Sequence, residues 1–144
     1  MDDNDAMLEL KNQGYFCSQI IVKMGLELRG EENIPLVRAM HALAGGLGFS
    51  GELCGALSGG ACFLGLYAGK GLPEDDEDPR LMIMVLDLVK WFTQEYGQTY
   101  GGIRCMDILK ANSQAAVCPL IVAATYQKAK ELLVENGFDL TGEN

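Results

Sequence analysis

The chain has 144 residues, 49% of them hydrophobic, and 20 acidic side chains against 11 basic ones give it a net charge of −9. That length and apolar content suffice for one domain, residues 1–144, with its own core. The acidity, with no basic stripe to neutralise phosphates, argues against nucleic acid as a partner.

Helical periodicity dominates. The first helical stretch spans 5–28, with a break at Gly14, and Phe16, Ile20, Ile21 and Met24 form its apolar face. The second starts at Ile34-Pro35, where proline suits a first turn, and ends at the pair Gly45-Gly46. A glycine-rich loop then leads into a third helix from Glu52 to Gly69. No charged residue lies between Glu52 and Lys70, so this helix is expected to be buried on most sides. Its interior glycines each cost about 1 kcal/mol relative to alanine, which is sensible only where another group packs very close.

The run Glu74-Asp75-Asp76-Glu77-Asp78 reads as a solvated loop, because it lacks the alternating ligands of a calcium loop. The fourth helix opens at Asp78-Pro79 and stops at Gly97. A short helix follows from Cys105 to Ala111, and the last runs from Cys118-Pro119 to Asn136, before Gly137. About six helical segments with short connections predict an all-α bundle forming a single domain. No segment offers the roughly 20 apolar residues of a membrane span. The spacings Gly55/Gly59 and Gly65/Gly69 instead suit tight helix packing, within the chain or across a homodimer.

Five cysteines fit a paired disulfide scaffold poorly. The start Met1-Asp2-Asp3-Asn4-Asp5 is acidic where a secretory signal is basic, so a cytoplasmic protein with reduced thiols is expected. Cys17, Cys54, Cys105 and Cys118 each fall at or just before a helix start. Unpaired N–H groups and the helix dipole there favour a thiolate, so lowered thiol pKa values are expected, suited to nucleophilic or metal-binding sulfur. No CxxC or CxxCH occurs, which removes a thioredoxin-type pair and haem attachment. Cys62 lies two turns, about 12 Å, from Cys54 along one helix and reads as a core filler.

Other signals are weaker. Gly46-Leu47-Gly48-Phe49-Ser50-Gly51 matches GxGxxG, but a helix precedes it and no βαβ unit follows, so it reads as a sharp turn that presents Cys54. His41, the one histidine, reads as structural, and Trp91, Phe92 and Tyr96 read as core.

The four cysteines, with Cys54-Gly55-Ala56-Leu57-Ser58-Gly59 as the central segment, resemble the C_GCAxxG_C_C family of redox-active proteins. The length and order agree over nearly the whole chain, although the family's Gly-Cys-Ala reads Cys54-Gly55-Ala56 here. A similar cysteine-bearing domain occurs in split-Soret-type cytochromes. The resemblance implies a redox role, an iron–sulfur centre and a redox partner protein, and carries no haem to this chain.

Four readings follow. In the first, Cys17, Cys54, Cys105 and Cys118 hold an iron–sulfur cluster for electron transfer, with room for sulfide beside Gly55 and Gly59. In the second, two of the four exchange disulfides, with Cys54 as the accessible nucleophile. The third is a structural four-cysteine zinc site. The fourth is a helical interaction module with incidental thiols.

Overall fold

The computed structural model describes residues 2–112 and 116–142. Its helices are α1 (Asp3–Asn12), α2 (Cys17–Leu28), α3 (Ile34–Met40), α4 (Gly55–Ala68), α5 (Arg80–Phe92), α6 (Gln98–Tyr100), α7 (Cys105–Ala111) and α8 (Cys118–Glu135). Among the described residues there is no strand, and one isolated β-bridge pairs Leu53 with Arg104. The all-α domain expected from the periodicity is what forms.

Local signals set most boundaries. The Asp2 carboxylate caps α1 by accepting the Asp5 N–H at 2.8 Å. Gly14, at φ +95°, divides the first helical stretch into α1 and α2. Asn33 caps α3 through the Leu36 N–H at 3.1 Å, with Pro35 in the first turn. After α3 the chain tightens into a 3-10 turn, His41–Leu43.

Three expected boundaries move. α3 stops at Met40 and the 3-10 turn at Leu43, short of the Gly45-Gly46 pair expected to end that helix. α4 begins at Gly55 rather than near Glu52, because the backbone before it is taken up in pairing with residues 103–106. The stop expected at Gly97 is not taken. A glycine ends a helix by adopting left-handed backbone, and Gly97 keeps helical angles, φ −60° and ψ −47°. The chain instead passes through a π turn, Thr93–Gly97, into α6, and stops at Gly101, φ +77°.

α4 is the central helix and packs against α2, α5 and α8. Its Leu57, Phe63 and Leu64 are fully buried with Ile21 of α2, Met84, Leu88 and Phe92 of α5, and Ile121 and Leu133 of α8. Each such side chain contributes about 1.5–3 kcal/mol by leaving water. Among the described residues no helix is long and apolar enough to cross a membrane.

Candidate functional site

The four cysteines start four different helices. Cys17, Cys105 and Cys118 are the first residues of α2, α7 and α8, and Cys54 is the N-cap of α4. All four are part-buried free thiols.

Backbone pairing joins the starts of α4 and α7. The Cys54 N–H donates to the Ile103 carbonyl at 3.2 Å, the Cys105 N–H to Glu52 at 2.6 Å and the Met106 N–H to Gly51 at 3.1 Å. The start of α2 is fixed by its own polar side chains. Ser18, fully buried, donates from Oγ to the Met40 carbonyl at 2.8 Å. Gln19 donates from Nε2 to Val37 at 3.2 Å, and its Oε1 accepts the Phe16 N–H at 3.2 Å. These three bonds tie the first turn of α2 to its own N-cap and to α3.

The glycines of α4 then bring α2 against the start of α4. A Cβ placed on Gly55 would lie 2.5 Å from Cys17 Sγ. One placed on Gly59 would lie 3.0 Å from Ser18 Cα and 3.1 Å from its carbonyl oxygen. The room expected beside Gly55 and Gly59 for inorganic sulfide is therefore occupied by the Cys17 sulfur and the Ser18 backbone.

A second device arrives from the loop before α4. Gly45, Gly46, Leu47, Gly48 and Phe49 all have positive φ, between 61° and 73°. Left-handed backbone costs an L-residue about 1–2 kcal/mol, so Leu47 and Phe49 are held under strain. The strained turn directs the Gly45 N–H to the Cys17 sulfur, where it favours the thiolate. The loop thus serves Cys17 as well as turning the chain toward Cys54. The sequence showed the glycines but not which sulfur they reach.

The sulfurs form one electrostatic group. Ionised Cys54 is opposed by Cys17 and Cys105, Cys105 by Cys17, and Cys118 by Cys17 and Cys105. Lys11 favours the Cys118 thiolate.

The expected lowering of the thiol pKa values is not what this site produces. Burial pushes all four upward, and Cys54 reaches about 12. Helix-start N–H groups do favour the thiolate, those of Ala56 and Leu57 at Cys54 and those of Ser18 and Cys17 itself at Cys17. Desolvation outweighs them. Cys54 is therefore not the accessible low-pKa nucleophile that its glycine-rich surroundings suggested.

Among the described residues, no three Cys, His, Asp or Glu side chains are placed so that they could hold a metal ion. Cys62 is exposed on α4 rather than a core filler. His41 is exposed and stacks on Phe16, with ring centroids 5.1 Å apart, and Phe49 packs edge-on to Phe16 at 5.4 Å. Tyr96 is part-buried, and burial first and the neighbouring charges of Glu95, Tyr100 and Cys54 after it push its phenol up to about 12.

The family described as "Putative redox-active protein (C_GCAxxG_C_C)" matches residues 15–132, a span that holds all four helix-start cysteines. The chain belongs to this family. No curated protein and no solved structure matches it.

Proposed function

We propose that the four cysteines form a redox centre in which Cys17 and Cys54 pass between dithiol and disulfide. The observation that carries this reading is the seating of Cys17 Sγ on Gly55, the residue next to Cys54, at a distance that leaves no space for a methyl group. Burial raises the Cys17 thiol as it does the others, and Cys17 is assigned as the attacking sulfur because three backbone N–H groups offset part of that rise. It displaces one sulfur of a partner disulfide and forms a mixed disulfide. Cys54 then loses its proton, attacks Cys17 Sγ and releases the partner's second thiol. The partner is reduced by two electrons and the Cys17–Cys54 pair is oxidised by two. Such a partner is a redox protein that presents an accessible disulfide.

Mild oxidation followed by peptide mapping tests the reading. The expected product is a single cross-link between Cys17 and Cys54. A cross-link confined to other cysteines contradicts it.

The linkage of all four sulfurs, rather than two, favours a second reading. Four thiols are the donor set of an iron–sulfur cluster, which spreads its ligands over several irons. As placed, no three of them could hold a metal ion, so a cluster or a zinc ion alike would bind only if the helix starts drew closer. Cys17, Cys54, Cys105 and Cys118 would hold the cluster, which would supply one-electron transfer. Iron, sulfide and zinc assays on protein purified without oxygen decide between the readings. Stoichiometric iron and sulfide with a visible charge-transfer band supports the cluster, and a colourless iron-free protein supports the dithiol.

A further inference from the structure

We propose that the loop from Gly45 to Gly51, with Phe16 and Met106 beside it, is an apolar docking surface on which a partner protein seats the segment that carries its disulfide. The proposal rests on the reading of Cys17 and Cys54 as a dithiol pair and adds the surface that delivers the disulfide to Cys17.

Among the described residues, Leu47 and Phe49 are the only non-glycine residues at positive φ, 68° and 61°. Glycine, asparagine or aspartate is the usual occupant of such backbone. Contacts within the chain offset little of the strain, since Leu47 is 52% exposed and Phe49 65%. Phe16, 39% exposed, meets Phe49 edge-on at 5.4 Å. Met106, 42% exposed, lies against Gly51, where an added Cβ would come within 2.9 Å of it. The four together leave about two whole side chains bare, roughly 400 Å² at about 200 Å² each. A contiguous apolar patch of that size on a small domain marks an interaction site.

The surface adjoins the reacting sulfur. A Cβ on Gly55 would meet both Cys17 Sγ and the Leu43 carbonyl, at 2.5 and 3.3 Å. The loop rises from that point. The Leu43 carbonyl accepts the Leu47 N–H at 3.3 Å, Ala44 accepts the Phe49 N–H at 3.0 Å, and the Phe49 ring lies on Gly45. Phe16 immediately precedes Cys17, and Met106 immediately follows Cys105. Apolar side chains that flank an incoming disulfide therefore lie beside Leu47 and Phe49 as its sulfur reaches Cys17.

Size and charge define the occupant. An obligate homodimer buries about 1,000 Å² or more on each partner, about 65% of it apolar. A transient redox encounter buries about 600 Å² or less on each, little more than half of it apolar, which the roughly 400 Å² here matches. The margin is basic on a chain of net charge −9. Lys110 lies one turn from Met106 on α7, and Arg38 lines the groove beside His41, whose ring stacks on Phe16. Of the nearby acids, Asp107 is bonded to Arg104 at 3.2 Å and Glu52 acts on the same guanidinium. The partner that fits presents apolar side chains next to its disulfide and a carboxylate at their edge.

The test measures initial rates of mixed-disulfide formation at Cys17 on the full chain, by acid quench and peptide mapping. Two cyclic peptides closed by a disulfide are the probes, one with Leu, Phe and Glu between its cysteines and one with Ser in place of Leu and Phe. The expected ratio of their rates is about 10, which the burial of one apolar side chain is enough to supply. In the double variant Leu47→Asn, Phe49→Asn the ratio should fall to about 1. Its denaturation midpoint should hold or rise, because asparagine suits left-handed backbone. Met106→Gln, on ordinary helical backbone, should lower the ratio about threefold. Leu86→Gln, exposed on α5, should leave it at about 10. A ratio of about 1 in the unaltered chain, or of about 10 in the double variant, overturns the docking surface alone. A lowered midpoint in the double variant assigns Leu47 and Phe49 to the fold and overturns it as well. So does a concentration-dependent dimer, or binding to phospholipid vesicles, that the double variant abolishes. Hydroxyethyl disulfide is small enough to need no docking. If it forms no adduct at Cys17, the Cys17–Cys54 reading falls and the docking surface with it.

Discussion

The two ends of the α2–α4 contact use glycine in opposite directions. At the cysteine end α4 supplies the glycines, Gly55 and Gly59, and α2 supplies what packs on them, Cys17 Sγ and the Ser18 backbone. Further along, α2 supplies the glycine. A Cβ on Gly25 would come within 2.5 Å of the Phe63 ring of α4. Phe63 is fully buried and packs against Tyr67 at 5.5 Å and Tyr126 at 5.2 Å. The Phe63 end is a hydrophobic core whose value lies in buried area. The cysteine end brings a sulfur and a polar backbone against a helix start, and its value lies in position. One helix pair thus separates stability from chemistry along its length.

The largest expected effect falls on the core end. Phe63→Ala should cost about 3–5 kcal/mol, read by chemical denaturation, while the folded fraction still forms the Cys17–Cys54 cross-link. The sharper comparison adds one methyl group at each end. Gly25→Ala and Gly59→Ala should each cost about 1–3 kcal/mol through overpacking. Only Gly59→Ala should also slow cross-link formation, because it pushes Ser18 and the neighbouring Cys17 away from the start of α4. Equal slowing in both variants would break the division between the two ends.

Ser18→Ala leaves the Met40 carbonyl without its side-chain donor, and an unmade buried bond costs about 1–3 kcal/mol. A loosened first turn of α2 should slow the cross-link as well, and Ser18→Thr, which keeps the hydroxyl, should recover part of it.

A pH profile sharpens the same contrast. Burial raises the folded-state thiol pKa values above the ordinary value of 9.0, with Cys54 at about 12. Above pH 9 the unfolded chain releases thiol protons that the folded chain keeps. The stability is therefore fully present below pH 9 and is lost as pH rises toward about 12. Denaturation midpoints measured between pH 8 and pH 11 should fall, and they should fall less in Cys54→Ala. The smallest effect is expected for Cys62→Ser. Cys62 is exposed on α4, so stability should change by no more than about 0.5 kcal/mol and the cross-link should be unchanged.

Much of this division was legible in the sequence. The uncharged stretch between Glu52 and Lys70 marked α4 as the buried centre, and its tolerated glycines marked a close approach. Proline and glycine signals placed the starts of α3 and α8 and the break at Gly14. The four helix-start cysteines were legible because a helix start is a local feature. What filled the space beside Gly55 and Gly59 was not, since it depends on which helix crosses there. The thiol pKa values depart from the helix-start expectation for a related reason. A helix start is visible in sequence, whereas the burial that outweighs it depends on which elements pack over each sulfur. Gly97 failed as a stop because glycine permits left-handed backbone without requiring it, and here the π turn keeps it helical.

The most direct test of the account is a count of free thiols before and after mild oxidation, with the lost thiols located by peptide mapping in the absence of metal. The account predicts that two of the five thiols are lost and that one cross-link joins Cys17 to Cys54. No thiol lost, or a cross-link that leaves Cys17 and Cys54 both free, would contradict it.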